Sequence, residues 1–144
     1  MTRHLVNKVM RKLGGPEVVR HATLGEINIS LLREMIKARP DLFPATNLTL
    51  QPSEMAKMAA SGEIDPDRVQ ALTLAEVDEP GIAVMTRSRL EPIDGFHRMQ
   101  RRWEDGLDWM LVYVVSTDTL ELVRPNLPDN VPWGRYKITR GRLL

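Results

Sequence analysis

At 144 residues, with 42% hydrophobic and 27% charged content, the chain is long enough to bury a core as a single soluble globular domain. Its net charge is +1 and it has no cysteine, which excludes disulfides, thiolate metal sites and cysteine nucleophiles together. No apolar run approaches the roughly 20 residues of a membrane helix, and no signal-peptide pattern opens the chain, so a cytoplasmic protein without a membrane partner is expected.

Taken in order, Thr2 to Leu13 reads as a short helix with Leu5, Val9 and Lys12 or Leu13 on one side, stopped by Gly14-Gly15-Pro16. Residues 1–15 are expected to form an arm that packs on the domain or on a second copy of the chain. Val18 to Thr23 reads as a strand and Leu24 to Asn28 as a turn out of it. Ser30 is then expected to cap a helix whose apolar face is Leu31, Leu32, Met35 and Ile36, ended by Arg39-Pro40. Leu42 to Leu50 reads as irregular. Pro52-Ser53-Glu54 opens a helix through Met55 and Met58 to Gly62, its methionines serving as core filler. Asp65-Pro66 caps a further short helix through Leu72, and AEVDEP reads as a solvated acidic loop.

From Glu91 to Ser116 the strand, turn, helix and strand signals follow without a break. Leu90, Pro92 and Ile93 form an extended run into Asp94-Gly95, a dipeptide suited to a sharp change of direction. A helix follows in which Phe96, Met99 and Trp103 make one apolar stripe, with Arg98, Arg101, Arg102 and Asp105 on the solvent side. Gly106 stops it. Trp109 to Val115 is a near-continuous apolar run, the pattern of a strand buried on both faces. Thr117 to Val123 reads as a short helix capped by Thr117 or Asp118, and the prolines at 125, 128 and 132 break regular structure. The tail, residues 124–144, mixes aromatics with arginines (WGRYKITRGR), a composition that suits nucleic-acid contact or docking on the domain or a second subunit.

The first turn of a helix presents amides without intrahelical partners and the positive end of the helix dipole, which together attract anions. Asp94-Gly95-Phe96-His97-Arg98 falls on such a turn. Gly95 would let a ligand approach the backbone, Arg98 could clamp phosphate or carboxylate, and His97 could donate, accept or shuttle a proton. The same residues also fit a plainer role, with Asp94 capping the helix and the arginines forming a solvated face. Glu26 is the one acid of the first half considered for the same site, with a surface turn as its other role.

Charge is unevenly spread. Residues 1–21, 87–102 and 124–142 are basic, while Glu63 to Glu79 carries six acids against Arg68 alone. If the basic stretches converge they form a patch for phosphate backbones; otherwise they lie on separate faces. His4, His21 and His97 show no ligand spacing, so no dedicated metal site is expected. Neither GxxxxGK[ST] nor GxGxxG occurs, and no serine–histidine–carboxylate arrangement is visible.

The stretch IDGFHRMQRRWEDGLDWMLVYVV resembles the DGHHR-type signature of ParB/sulfiredoxin-like domains, and GIAVMTRSRLEP upstream resembles that family's hairpin. VVRHATLGEINIS is more weakly similar to the segment that opens such domains. Clear resemblance covers residues 80–116. It implies that Asp94, Gly95, His97 and Arg98 lie over the phosphates of a nucleotide or of DNA. Phe96 stands where sulfiredoxin has its catalytic cysteine, so that reductase chemistry is excluded. His97 replaces the threonine of the related serine kinases, and GFHRMQR matches the GERRxRA pattern of CTP-binding partition proteins poorly. With 28 residues after Ser116 in this sequence, the helix-turn-helix domain that follows the fold in partition proteins is not expected here.

These readings predict an α+β domain over residues 1–144 with a small mixed sheet and surrounding helices, of the ParB/sulfiredoxin-like type. The leading functional expectation is nucleotide-phosphate binding by Gly95, Phe96, His97 and Arg98. Asp94, His97 and Glu26 would then serve phosphoryl transfer or NTP hydrolysis, with Mg²⁺ accompanying the nucleotide. One alternative is a non-catalytic DNA-binding protein contacting phosphates through Arg98, Arg101 and Arg102. The other is a degenerate interaction module, with homo-oligomers formed through the N-terminal helix or C-terminal tail.

Overall fold

The structure is a computed structural model that describes residues 17–125. The expected N-terminal arm, most of the C-terminal tail and two of the three basic stretches lie largely outside those residues. The described residues form mixed α and β structure in two compact units. One holds the described residues up to Pro44 and those from Val115 onward, the other Ala45–Val114. None of the described helices is long and apolar enough to cross a membrane.

In the first unit, β1 (Val18–His21) pairs antiparallel with β2 (Gly25–Asn28), from Val18 opposite Asn28 to His21 opposite Gly25. The residues expected to be a turn are therefore mostly strand. The turn is only Ala22 to Leu24, closed where the His21 ring Nδ1 accepts from the Thr23 and Leu24 amides at 3.1 and 3.2 Å. Helix α1 (Ile29–Ala38) follows directly, capped by Asn28, whose Oδ1 accepts from the Leu31 amide at 3.0 Å. Ser30, expected as the cap, instead accepts the Glu17 amide at 2.8 Å. Ile29, Leu31, Leu32, Met35 and Ile36 are buried along α1. The helix ends at Arg39, because the residue before a proline is disfavoured in helical conformation, and Pro40–Leu42 makes one 3₁₀ turn. Near the other end of this unit, α6 (Thr117–Leu122) is capped one residue earlier than expected, by Ser116 accepting from the Thr119 amide at 3.2 Å.

The second unit is built on a four-stranded sheet in the order β3 (Ala45–Thr49), β6 (Trp109–Ser116), β4 (Gly81–Met85), β5 (Leu90–Asp94). Both β3–β6 and β4–β5 are antiparallel. Strand β3 falls where no regular structure was expected. Most of its side chains are exposed, so the alternation of apolar residues that marks a half-buried strand is missing. Helices α2 (Pro52–Ala60) and α3 (Pro66–Ala71) match expectation, and the Asp65 side chain caps α3 by accepting the Asp67 amide.

The acidic segment expected to be a loop contains α4 (Leu74–Asp78), held by a capping box in which Thr73 accepts from the Glu76 amide and Glu76 from the Thr73 amide. Strand β6 was expected to be buried on both faces. Instead its first half alternates, Met110 and Val112 being buried while Trp109 and Leu111 are exposed, and only further on is Val115, of the opposite parity, buried as well. A continuous apolar run does not by itself say how many of its faces are covered.

Helix α5 (Phe96–Glu104) runs as expected, with Gly106 at φ +84° just beyond its end. Its Met99 joins Leu50, Met55 and Met110 in a buried cluster, against which Leu48, Met58, Phe96 and Trp103 are partly buried. Trp103, placed on the apolar stripe by its spacing, is therefore only half-buried. The arginines depart further from expectation: Arg101 is half-buried and Arg102 is buried at 6% exposure, so neither lies on a solvated face.

Candidate functional site

The hairpin β4–β5 delivers the chain into the Asp94–Arg98 turn. Its register shifts by one residue between Ile82 and Ala83, opposite Ile93, and Pro92 lies in β5, an edge strand where a missing donor is tolerated. Gly95 then takes the left-handed conformation (φ +97°, ψ +22°) at the cap position of α5. The space there is also confined. A Cβ on Gly95 would lie 3.1 Å from both Gly81 Cα and Met110 Cε, and a Cβ on Gly81 would lie 2.7 Å from the Asp94 carbonyl oxygen. The turn is thus fixed by two glycines meeting at the start of β4 and the end of β5.

Because the cap residue is glycine, it offers no side-chain acceptor to the helix. The first bond of α5 runs from the Met99 amide to the Gly95 carbonyl at 2.9 Å, so the amides of Phe96, His97 and Arg98 precede the helical ladder. Asp94 is buried at 8% exposure, with a carboxylate oxygen 3.7 Å from the Arg98 guanidinium. Arg98 itself points back along the protein rather than outward as a clamp. It donates to the carbonyls of Glu79 at 3.2 Å and Pro80 at 2.9 Å, and lies 3.7 Å from the Glu79 carboxylate.

His97 accepts the Asp65 amide on Nε2 at 3.2 Å, which in the neutral ring places the proton on Nδ1. Partial burial, followed by the positive charge of Arg68, pushes its pKa down, against an opposing pull from Asp65. His97 therefore links α5 to the cap of α3 in its uncharged form.

The other two arginines hold helices. Arg101 donates to the carbonyls of Val69 at 3.2 Å and Leu72 at 3.3 Å, at the C-terminal end of α3, where a cation suits the dipole, and contacts Asp105 at 3.2 Å. Arg102 donates Nε–H to the Trp109 carbonyl at 2.8 Å, lies 4.5 Å from the centroid of the Trp109 ring, and approaches Asp78 at 3.8 Å. Glu26 belongs to the other unit, where its carboxylate pairs with Arg20 at 2.8 Å and its carbonyl accepts from Arg124.

A groove of about 400 Å³ adjoins the turn, lined in part by Leu48, Met55, Phe96 and Met99 and by the polar Glu54 and Arg89. Glu54 pairs with Arg89, which also contacts Glu91 at 2.9 Å. No sequence signal marked this groove, since its residues come from four separate elements. Among the described residues no group of three or more histidine, aspartate or glutamate side chains stands together to hold a metal ion. Compared with protein-family models, curated proteins and solved structures, the chain matches none.

Proposed function

We propose that the Asp94–Arg98 turn binds the phosphate of a nucleotide. The observation that carries this reading is Gly95 at the cap of α5. Gly95 is itself buried and gives the helix no side-chain cap, so the first-turn amides of Phe96, His97 and Arg98, at the positive end of the helix dipole, have no acceptor from the cap residue's side chain and suit an anion. Phe96 extends from the same turn into the apolar groove, whose about 400 Å³ falls in the size range of small-molecule sites. A ligand with a phosphate and an aromatic ring suits that pairing of surfaces. The resemblance of residues 80–116 to ParB/sulfiredoxin-like domains agrees with this reading.

Arg98 contributes charge beside the site and holds the turn against the carbonyls of Glu79 and Pro80. Mg²⁺ would arrive with the phosphates, Asp94 being the carboxylate of the turn that could meet it, and a neutral His97 would donate from Nδ1 or take up a proton during phosphoryl transfer or hydrolysis. Glu26 is left out of this arrangement because its carboxylate is paired with Arg20. DNA contact through Arg98, Arg101 and Arg102 has less support, since each guanidinium already donates to backbone carbonyls of the protein.

The test is a heteronuclear NMR titration of the labelled protein with nucleoside triphosphates, with and without Mg²⁺, with inorganic phosphate, and with a short DNA duplex. Nucleotide is expected to shift the amides of Gly95 to Arg98 together with the methyls of Met55 and Met99, and inorganic phosphate the amides alone. If no phosphate-bearing ligand moves those amides, the proposal fails. Shifts produced only by the duplex, with steep salt dependence, would transfer the site to nucleic acid.

A further inference from the structure

The two edges of the four-stranded sheet are built differently. On β5, Pro92 cannot donate, the register is interrupted opposite Ile93, and Glu91 and Asp94 bring charge. These are the devices by which proteins discourage a sheet edge from recruiting another strand. On β3 every one of them is missing. Its sequence is Ala45-Thr46-Asn47-Leu48-Thr49, with no proline, glycine or charge, and it pairs with β6 over all five residues without a bulge. Four of the five side chains are exposed, Leu48 being half-buried. Among the described residues, no backbone hydrogen bond outside the β3–β6 ladder reaches Ala45–Thr49. Among the described residues, one row of N–H and C=O groups along this regular edge therefore has no backbone partner.

We propose that β3 is a self-association edge, through which two copies of this chain pair antiparallel about a two-fold axis at Asn47. The choice of a second copy as occupant rests on charge. An isologous contact sets a strand against itself, so Asn47 meets Asn47, Thr46 meets Leu48 and Ala45 meets Thr49. Any charged residue at the centre would face its own kind, and β3 carries none. The two central Asn47 side chains, each with a donor and an acceptor, can hydrogen-bond to one another across the axis. The outer face is continuous with this edge, because Asn47 lies opposite Leu111 and Thr49 opposite Trp109, and both of these β6 residues are exposed, at 40% and 42%. Five residues of strand bury far less than the ~1,200 Å² at which stable interfaces begin. The dimer is accordingly weak, and its population depends on protein concentration.

The experiment uses the whole chain in sedimentation equilibrium over a wide concentration range. Expected is a monomer–dimer equilibrium that shifts towards monomer at least tenfold in Asn47→Lys and equally in Asn47→Asp, because each places like charges opposite one another. An equimolar mixture of the two variants should recover dimer, now with opposite charges paired, and the recovery also shows that both variants fold. A chain that stays monomeric at every concentration, or a dimer indifferent to both variants, overturns the proposal. A second measurement needs no substitution: amide exchange of Ala45–Thr49 in the unaltered protein should slow as concentration rises. Exchange independent of concentration overturns it equally. Slowing only when a different protein is added would show that the edge belongs to another partner, and that also defeats the assignment to a second copy.

Discussion

Gly81 and Gly95 stand so close that a methyl group on Gly95 would lie 3.1 Å from the Gly81 Cα. The contact joins the first residue of β4 to the residue that caps α5, so it sets where the first-turn amides point. Gly95 also has φ +97°, a conformation that costs a residue with a side chain about 1–2 kcal/mol. Gly62 provides a control, since it has φ +78° but nothing within 4 Å of its would-be Cβ. Gly62→Ala should therefore register backbone strain alone. Gly95→Ala should destabilise by more than Gly62→Ala and also weaken phosphate binding, as read by chemical denaturation and by titration. Equal destabilisation by the two variants would mean that the crowding at Gly95 relaxes without cost.

The His97 ring accepts a hydrogen bond from Asp65 N–H only when Nε2 is unprotonated. Its pKa is depressed, by burial first and by Arg68 second. The neutral form is thus favoured in the folded state, and the unfolded chain takes up its proton at a higher pH. Stability from this contact is complete above the ordinary histidine value of about 6.5 and is lost as pH falls through the lower folded value. Thermal unfolding followed across mildly acidic pH should show this loss in the native sequence and not in His97→Gln. Identical pH dependence in both would remove His97 as its source. Glu76 acts in a lower window: hydrogen bonds from Thr73 depress its pKa, so the capping box of α4 weakens only as pH falls below the usual carboxylate range.

Arg101 and Arg102 make a further prediction because their guanidiniums donate to carbonyls. Arg101→Met leaves Val69 O and Leu72 O without that donor, and Arg102→Met does the same to Trp109 O. Each should cost about 1–3 kcal/mol in denaturant unfolding. Nucleotide binding should be nearly unchanged in either variant under conditions where it remains folded. A DNA-binding role would produce the opposite pattern, a loss of affinity whose salt slope falls by about one unit per contact removed.

The arginines also mark how far the sequence could be read. Their spacing placed them on the side of α5 away from Phe96, Met99 and Trp103, yet Arg102, three residues after Met99, is buried as Met99 is. A side chain long enough to reach across a groove, however, finds partners set by tertiary packing, so Val69, Leu72 and Trp109 could not be named from periodicity. The hairpin, α5 and its stop at Gly106 were legible because turn chemistry and apolar spacing agree there. Strand β3 was not, since an edge strand with exposed threonines and asparagine carries little apolar alternation. The capping box Thr73-Leu-Ala-Glu76 was present in the sequence as a signature, hidden within a segment whose acidity suggested a loop. At the candidate site, the identity of the turn was legible, but not the inward course of Arg98 or the groove beside Phe96.

The most discriminating change at the site is Asp94→Asn. The Asp94 carboxylate lies 3.7 Å from the Arg98 guanidinium and immediately precedes the turn whose amides are proposed to bind phosphate. Two effects of this carboxylate oppose each other. As a negative charge it repels an incoming anion and draws on the field of Arg98, whereas with Mg²⁺ present it offers an oxygen ligand to the metal that accompanies a nucleotide. Neutralising it without changing its shape separates the two. In the absence of Mg²⁺, Asp94→Asn should bind inorganic phosphate severalfold more tightly than the native sequence, because repulsion is relieved and Arg98 is less compensated. In the presence of Mg²⁺, the same variant should bind nucleotide more weakly, because an amide oxygen is a poorer ligand for a hard cation. Calorimetric titrations under the two conditions provide the comparison. A variant that matches the native protein in both would place the phosphate away from this carboxylate and count against the Asp94–Arg98 turn as its site.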